Sequence, residues 1–342
     1  MWYHLEKPTV FVDHQAQKRS GHMGHAMVEY EPDYILDFYS NCDYDRANGH
    51  SGYGWMEYKR SLDGGQTWGP ARRLPYSRRL YEEGIHTALC EKAVVTDTGA
   101  IVCFFQITDA SKPMSCEPWS EPTYIVSRDK GETWSEARKA CPVKGRIYDA
   151  VYRDGEILFI IQANDAANIF LGNLPEHHYE LYCSDDDGRS FQLRSVIPID
   201  AMGKGYGALE FTEDGKLMAC VYDSVDEFHM PYCLSADRGK TWPDAGAAPV
   251  AKRIRNPQIV RTESGWLLHG RNGDKGDGLV LYASPDGVHW DEGVMVDVRP
   301  CPGVGYYSNN LYLRGRKKVL IQYSHVYDKN RVNIMHVWVN ID

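Results

Sequence analysis

The 342-residue chain has little that would place it in a membrane, on a nucleic acid or inside a disulfide framework. No stretch approaches the roughly 18 consecutive apolar residues of a spanning helix. Positive charge is in deficit, with 38 Lys and Arg against 47 Asp and Glu. The net charge of −9 argues against nucleic acid or an anionic membrane as the main partner. It leaves room for a local basic pocket that takes a small anion. CxxC pairs are missing. The nine Cys are odd in number and never closer than 13 positions, which matches no zinc spacing. The opening Met1-Trp-Tyr-His-Leu-Glu-Lys-Pro has no basic region leading into an apolar run, so no signal peptide is expected. Reduced, buried thiols in a cytoplasmic protein are the resulting expectation. Helical periodicity is nearly absent; Leu174–Leu181 could hold a turn or two. No Pro/Gly/Ser linker or composition shift divides the chain into domains.

What remains is an ordinary globular composition, 43% hydrophobic and 25% charged, with 12% aromatics. That aromatic content suits β structure and sugar-stacking surfaces. The chain also repeats itself. Ser61-Leu-Asp63-Gly-Gly65-Gln-Thr-Trp68 recurs as Ser127 to Trp134 and Ser235 to Trp242. It recurs with Phe as Ser184 to Phe191, and one residue shorter as Ser284 to Trp290. Asp accepts backbone N–H bonds within such a turn, and Gly takes the positive φ that other residues resist. The aromatic ring folds back between neighbouring sheets. The Ser-to-Ser spacings are 66, 57, 51 and 49.

A second repeat supports the first. Six apolar hairpins span Ala26–Tyr39, Ala93–Phe105, Ala150–Ile161, Ala208–Tyr222, Gln258–Gly270 and Asn310–Tyr323. Their turns fall at Pro32-Asp33, Thr98-Gly99, Asp154-Gly155, Asp214-Gly215, Ser264-Gly265 and Arg314-Gly315. The flanks alternate or run apolar as strands do. About 50 residues per unit is one four-stranded propeller blade. The expected fold is therefore all-β: a six-bladed β-propeller of four-stranded antiparallel blades, one domain over residues 1–342. Pro8–Asp13 is expected to supply an edge strand that closes the ring, since closure removes exposed edges.

Five Asp-boxes on six blades resemble the sialidase (neuraminidase) superfamily over essentially the whole chain. In that superfamily the boxes lie at outer turns, away from the site, and glycosidases, some lyases and non-catalytic proteins share them. Fold alone therefore does not give function.

A propeller binds its ligand where the inner strands converge on the axis. Nine residues before each hairpin turn stand His25, Cys90, Arg146, Tyr206, Asn256 and Tyr306, one per blade. His22, His86, Glu91, Asp149, Arg255, Tyr307 and Asn309 are their polar neighbours. Such a ring suits a ligand with many hydroxyls and one carboxylate. Its bland alternative is a polar plug whose members bond one another.

Tyr307, in Gly305-Tyr-Tyr-Ser-Asn-Asn310, looks like the Tyr-Ser segment that carries the sialidase nucleophile. A phenol needs help to act near neutrality, from Arg neighbours or a proton-accepting carboxylate. Glu210, on the blade-four strand, is a candidate for that carboxylate. Tyr replaces a carboxylate nucleophile in sialidases. The rest of the pattern departs. Gly21 to Val28 carries no Arg where the family's first blade has one. Counting back from Ser61 puts His50, with Asp43 and Asp45 nearby, where the family's acid stands. The other two arginine positions fall near Tyr222 and Lys275. Arg146, Arg253, Arg255 and Arg271 are the available substitutes, though not position for position.

His22, His25, His50 and His86 suit general acid–base work near pH 7, but their spacing assigns no metal, and no cofactor is expected. Asp149 and Glu91 are the best-placed carboxylates for acid–base work; pairing with Arg146 or Arg255 is their alternative. Gly270–Gly278 lacks the following helix of a phosphate loop. Ser224–Met230 and Asp165–His178 are the expected rim loops.

The leading expectation is a sialidase-like glycoside hydrolase on small carbohydrates. Tyr307 is nucleophile or stabiliser, and Asp149 or His50 the acid/base. Arg146 and Arg255 anchor the anion. A lyase that eliminates across a uronate, using His, Tyr and Arg, is the second reading. A non-catalytic glycan-binding propeller is the third.

Overall fold

A computed structural model describes residues 2–21, 25–43, 52–84, 86–109, 120–164, 171–273, 277–300, 305–329 and 331–342. Six antiparallel sheets follow one another along the chain. Their innermost strands are His25–Glu31, His86–Val95, Gly145–Arg153, Lys204–Phe211, Arg255–Arg261 and Ser308–Leu313. Each touches the next, and the last touches the first, so the sheets close into a six-bladed propeller around one axis. All six expected hairpins form.

The ring is closed by the N-terminus. Thr9–Val12 pairs antiparallel with the last strand, Arg331–Ile341, as expected, and Tyr3–Leu5 pairs farther along the same strand. The second pairing was not legible, because three residues carry too little periodicity to mark a strand. Phe11 stacks on His336 at 3.8 Å across the seam.

Each repeated turn is a closed hydrogen-bond unit. In the fourth copy Ser235 Oγ donates to Asp237 Oδ1 at 2.7 Å and accepts from the Gly239 N–H at 2.7 Å. Asp237 then accepts from the Thr241 N–H at 2.8 Å and from its hydroxyl at 2.7 Å. The same pattern recurs at Ser61, Ser127 and Ser184. Gly239 holds φ 81°, and a Cβ there would lie 2.1 Å from Leu181 of the preceding blade. Glycine is thus required twice, by the turn and by the blade contact. Trp134, Phe191, Trp242 and Trp290 pack against the interblade cores.

Two local expectations are corrected. Leu174–Leu181 forms no helix; it is a turn leading into the strand His178–Ser184. The helix lies instead at Pro75–Glu82, after the short strand Arg72–Arg73 of blade one. Pro75 occupies its first turn, where a missing N–H costs nothing. Tyr76 and Leu80 face the core, and the Ser77 hydroxyl accepts the Met56 N–H at 2.8 Å. The last hairpin also turns differently, through Arg314–Arg316, with Lys317 rather than Gly315 at positive φ.

Candidate active site at the propeller axis

The inner strands do not reach the mouth as regular ladders. Four carry a β-bulge near their start, between Cys90 and Lys92, Ile147 and Asp149, Gly205 and Ala208, and Arg255 and Gln258. The residues left out of register include Glu91, Tyr148, Tyr206 and Asn256. All four line a single axial cavity. A bulge re-aims a side chain that the two-residue period would otherwise turn aside. Tyr206 and Asn256 also hold positive φ, 50° and 52°. Such backbone costs on the order of 1–3 kcal/mol per residue and persists where the surroundings demand it.

His25, Arg146, Gln258, Tyr307, Ser308 and Asn309 complete the wall, around a volume of about 30 Å³. That holds one or two waters, or a group the size of a carboxylate. Arg146, 1% exposed, grips both Glu91 oxygens through Nη2 at 3.1 and 3.0 Å. Its Nη1 donates to the Tyr206 hydroxyl at 3.0 Å. Burial pushes the Glu91 carboxyl above its ordinary pKa, and the guanidinium opposes that rise.

Tyr206 stacks between Tyr148, at 4.5 Å, and Tyr307, at 6.2 Å. Arg271 lies 5.3 Å over the Tyr307 ring and hydrogen-bonds that side chain. Arg255 lies 5.2 Å over Tyr222 and meets Glu227 at 2.6 Å. Three guanidinium groups therefore gather around a tyrosine cluster, two of them paired with carboxylates. This is a positive, largely buried mouth in an acidic protein.

No protein-family model and no curated protein matches the chain. Solved structures do. A protein of unknown function from Dyadobacter fermentans superposes with a TM-score of 0.72 at 14% identity, over 100% of both chains. The NanB sialidase of Streptococcus pneumoniae gives a TM-score of 0.67 at 10% identity, over 98% of this chain and 70% of that one. Trypanosoma rangeli sialidase gives 0.64 at 14% identity, over 93% and 55%. The fold is that of a sialidase-like propeller.

Within this sialidase-like propeller the expected residues divide. His25, Glu91, Arg146, Tyr206, Asn256, Tyr307 and Asn309 line the cavity together. Arg255 and Arg271 back it through the tyrosines. Tyr148, Gln258 and Ser308 were missed; the signal for Tyr148 was its place beside Arg146 in a bulge, invisible to a strict nine-residue count. His22 and His50 lie outside the described residues.

Four assignments are corrected. Tyr306 turns away from the axis into the interblade core, where its hydroxyl donates to the Arg299 carbonyl at 2.6 Å. The next residue, Tyr307, lines the cavity instead. Glu210 sits at the opposite end of the inner strand, in the far opening of the channel, and accepts the backbone N–H groups of Phe211 and Arg261 at 2.7 and 3.1 Å. It is not placed to take a proton from Tyr307. Asp149 lies beneath the cavity wall. It accepts the Leu209 and Ala150 N–H groups at 2.8 and 2.9 Å and pairs with Lys92 at 2.9 Å. Lys92 Nζ also donates to Asn309 Oδ1 at 2.9 Å, so this group ties four blades together below the cavity. His86 pairs with Asp109 at a strand end and is not on the cavity wall.

Proposed function

We propose that the chain is a sialidase-like glycoside hydrolase that acts at the axial cavity on a small glycan bearing a carboxylate. Tyr307 carries this reading. It lies in the cavity wall, 4% exposed, with the Arg271 guanidinium over its ring and hydrogen-bonded to it. A guanidinium favours the phenolate, which is what a phenol needs to act as nucleophile. Arg146, Arg255 and Arg271 make the mouth attractive to a carboxylate, and the cavity volume matches one such group.

In this reading the Tyr307 oxygen bonds to the anomeric carbon as the glycosidic C–O bond breaks. The leaving oxygen takes a proton from a general acid. Glu91 is the carboxyl on the cavity wall; burial raises its pKa, and Arg146, bonded to both its oxygens, opposes that rise. His50 is the other candidate. Water then displaces the tyrosine, returning the proton. The seven described cysteines are all buried. That is consistent with our proposal of a reducing, cytoplasmic setting.

One observation favours a second reading. His25 faces the cavity beside Tyr307 with an Nε2 that has no partner. A lyase would use that nitrogen to take the proton next to a uronate carboxylate. The C–O bond then breaks, and Tyr307 protonates the leaving oxygen. A mass spectrum of sialylated and uronate-bearing oligosaccharides after incubation separates the readings. Fragments that have gained one water, much reduced in Tyr307→Phe, support the hydrolase. Unsaturated fragments without added water support the lyase. Binding without any change in mass supports a non-catalytic propeller.

A further inference from the structure

His25 is 4% exposed, and its Nδ1 lies 2.7 Å from Gln322 Oε1. Gln322, fully buried, donates through Nε2 to Asp37 Oδ1. Asp37, also fully buried, receives His336 Nε2 on its other oxygen at 2.8 Å. The chain of bonds has one direction. Burial raises the Asp37 pKa while its bonds to His336 and Gln322 favour the ionised form; as a carboxylate it only accepts, so the Gln322 NH₂ points at Asp37 and its carbonyl at His25. The imidazole must then carry its proton on Nδ1, leaving Nε2 as a bare lone pair. Burial, with His336 nearby, lowers the His25 pKa to about 4, so the ring is neutral at pH 7.

Two more buried side chains on the cavity wall hold polar atoms without a partner. Asn256, 4% exposed, has neither its Oδ1 nor its Nδ2 hydrogen-bonded, and Gln258, 6% exposed, leaves Oε1 unused. A buried polar atom without a partner costs about 1–3 kcal/mol. All three line one cavity, where a ligand group or a water can meet them.

We infer that His25 is a neutral hydrogen-bond acceptor for a ligand hydroxyl, with Gln322, Asp37 and His336 as positioning residues that fix its tautomer. With the Asn256 and Gln258 carbonyls the cavity then offers three acceptors next to the Arg146 guanidinium. At about 30 Å³ the cavity admits only the end of a ligand, so it suits a hydroxylated acid whose hydroxyl, beside its anion, reaches His25. This rests on the axial cavity being the ligand site proposed above.

The test is nitrogen NMR of the full chain labelled with ¹⁵N-histidine, with His25 assigned by its loss in His25→Gln. The expected signature at pH 7 is a protonated Nδ1 and a bare Nε2. In Gln322→Leu the ring should shift to the Nε2–H form that free imidazole side chains prefer. An Nε2–H tautomer or an imidazolium in the wild type overturns the inference without any variant. Titration with N-acetylneuraminic acid and, separately, glucuronic acid should move the Nε2 resonance to higher field. Binding that leaves it unmoved overturns the hydroxyl contact. If neither sugar binds while the tautomer holds, the ligand class and the functional reading fail together, and only the positioning chain stands.

Discussion

Asp149 offers the sharpest test of how this site is built. Its residue type and neighbourhood suggest an acid–base catalyst, but its contacts are those of a strut. The carboxylate is 2% exposed and pairs with Lys92, which is 13% exposed. Replacing it with Ala leaves the ammonium facing a void and orphans two N–H groups, those of Leu209 and Ala150. Breaking a buried ion pair costs about 3–5 kcal/mol. The N–H groups add to that less than additively, so about 4 kcal/mol is expected for Asp149→Ala. Asp149→Asn keeps one oxygen, but its NH₂ must face one of three donors, so about 2–3 kcal/mol is expected. Urea unfolding followed by tryptophan fluorescence reads both losses. Glycan turnover, measured where each variant is folded, should fall far less than in Tyr307→Phe. If Asp149→Asn unfolds at the wild-type urea concentration yet loses turnover, the strut assignment is wrong and Asp149 acts on the substrate.

Other consequences follow from the same geometry. Tyr307→Phe should keep the wild-type fold by circular dichroism and lose at least about 10³-fold in kcat, the scale of a removed nucleophile; retained turnover would exclude the nucleophile role. Ser235→Ala should cost about 1–3 kcal/mol in urea unfolding, because the Gly239 N–H loses its buried acceptor; an unchanged midpoint would mean that water satisfies the turn. Stability should fall as pH drops below about 6.5, the value for an unfolded histidine. Burial lowers His14, His25 and His269 to about 3, about 4 and about 3, so between those values and 6.5 the unfolded chain binds protons that the folded chain refuses. Their contribution is complete above pH 6.5 and shrinks toward pH 3; a flat stability profile from pH 7 to pH 4.5 would refute it.

Much of the cavity wall was legible in the chain. The nine-residue count placed His25, Arg146, Tyr206 and Asn256 on the cavity, and one-residue neighbours supplied Glu91 and Tyr307. It failed at Cys90 and Tyr306, which pack into the hydrophobic cores while the next residues, Glu91 and Tyr307, line the cavity. Glu210 was expected near Tyr307 because it follows Tyr206 on one strand, but that strand runs the length of the channel, and one end serves the mouth while the other serves the far opening. Asp149 was misread because its partners, Lys92 and the Leu209 N–H, belong to the blades on either side.

The repeats alone determined the blade count and the hairpins. Both follow from local turn chemistry and two-residue periodicity, recorded wherever the motif is written; closure by a strand within Pro8–Asp13 followed from the need to cover an open edge. Only the closed ring decided which polar residues meet. Bulges aim Glu91, Tyr148, Tyr206 and Asn256 inward from four separate blades. Arg271 reaches Tyr307, and Gln322 reaches His25, only across blade seams. Contacts between residues hundreds of positions apart depend on how six sheets pack about one axis, and no local pattern carries that information.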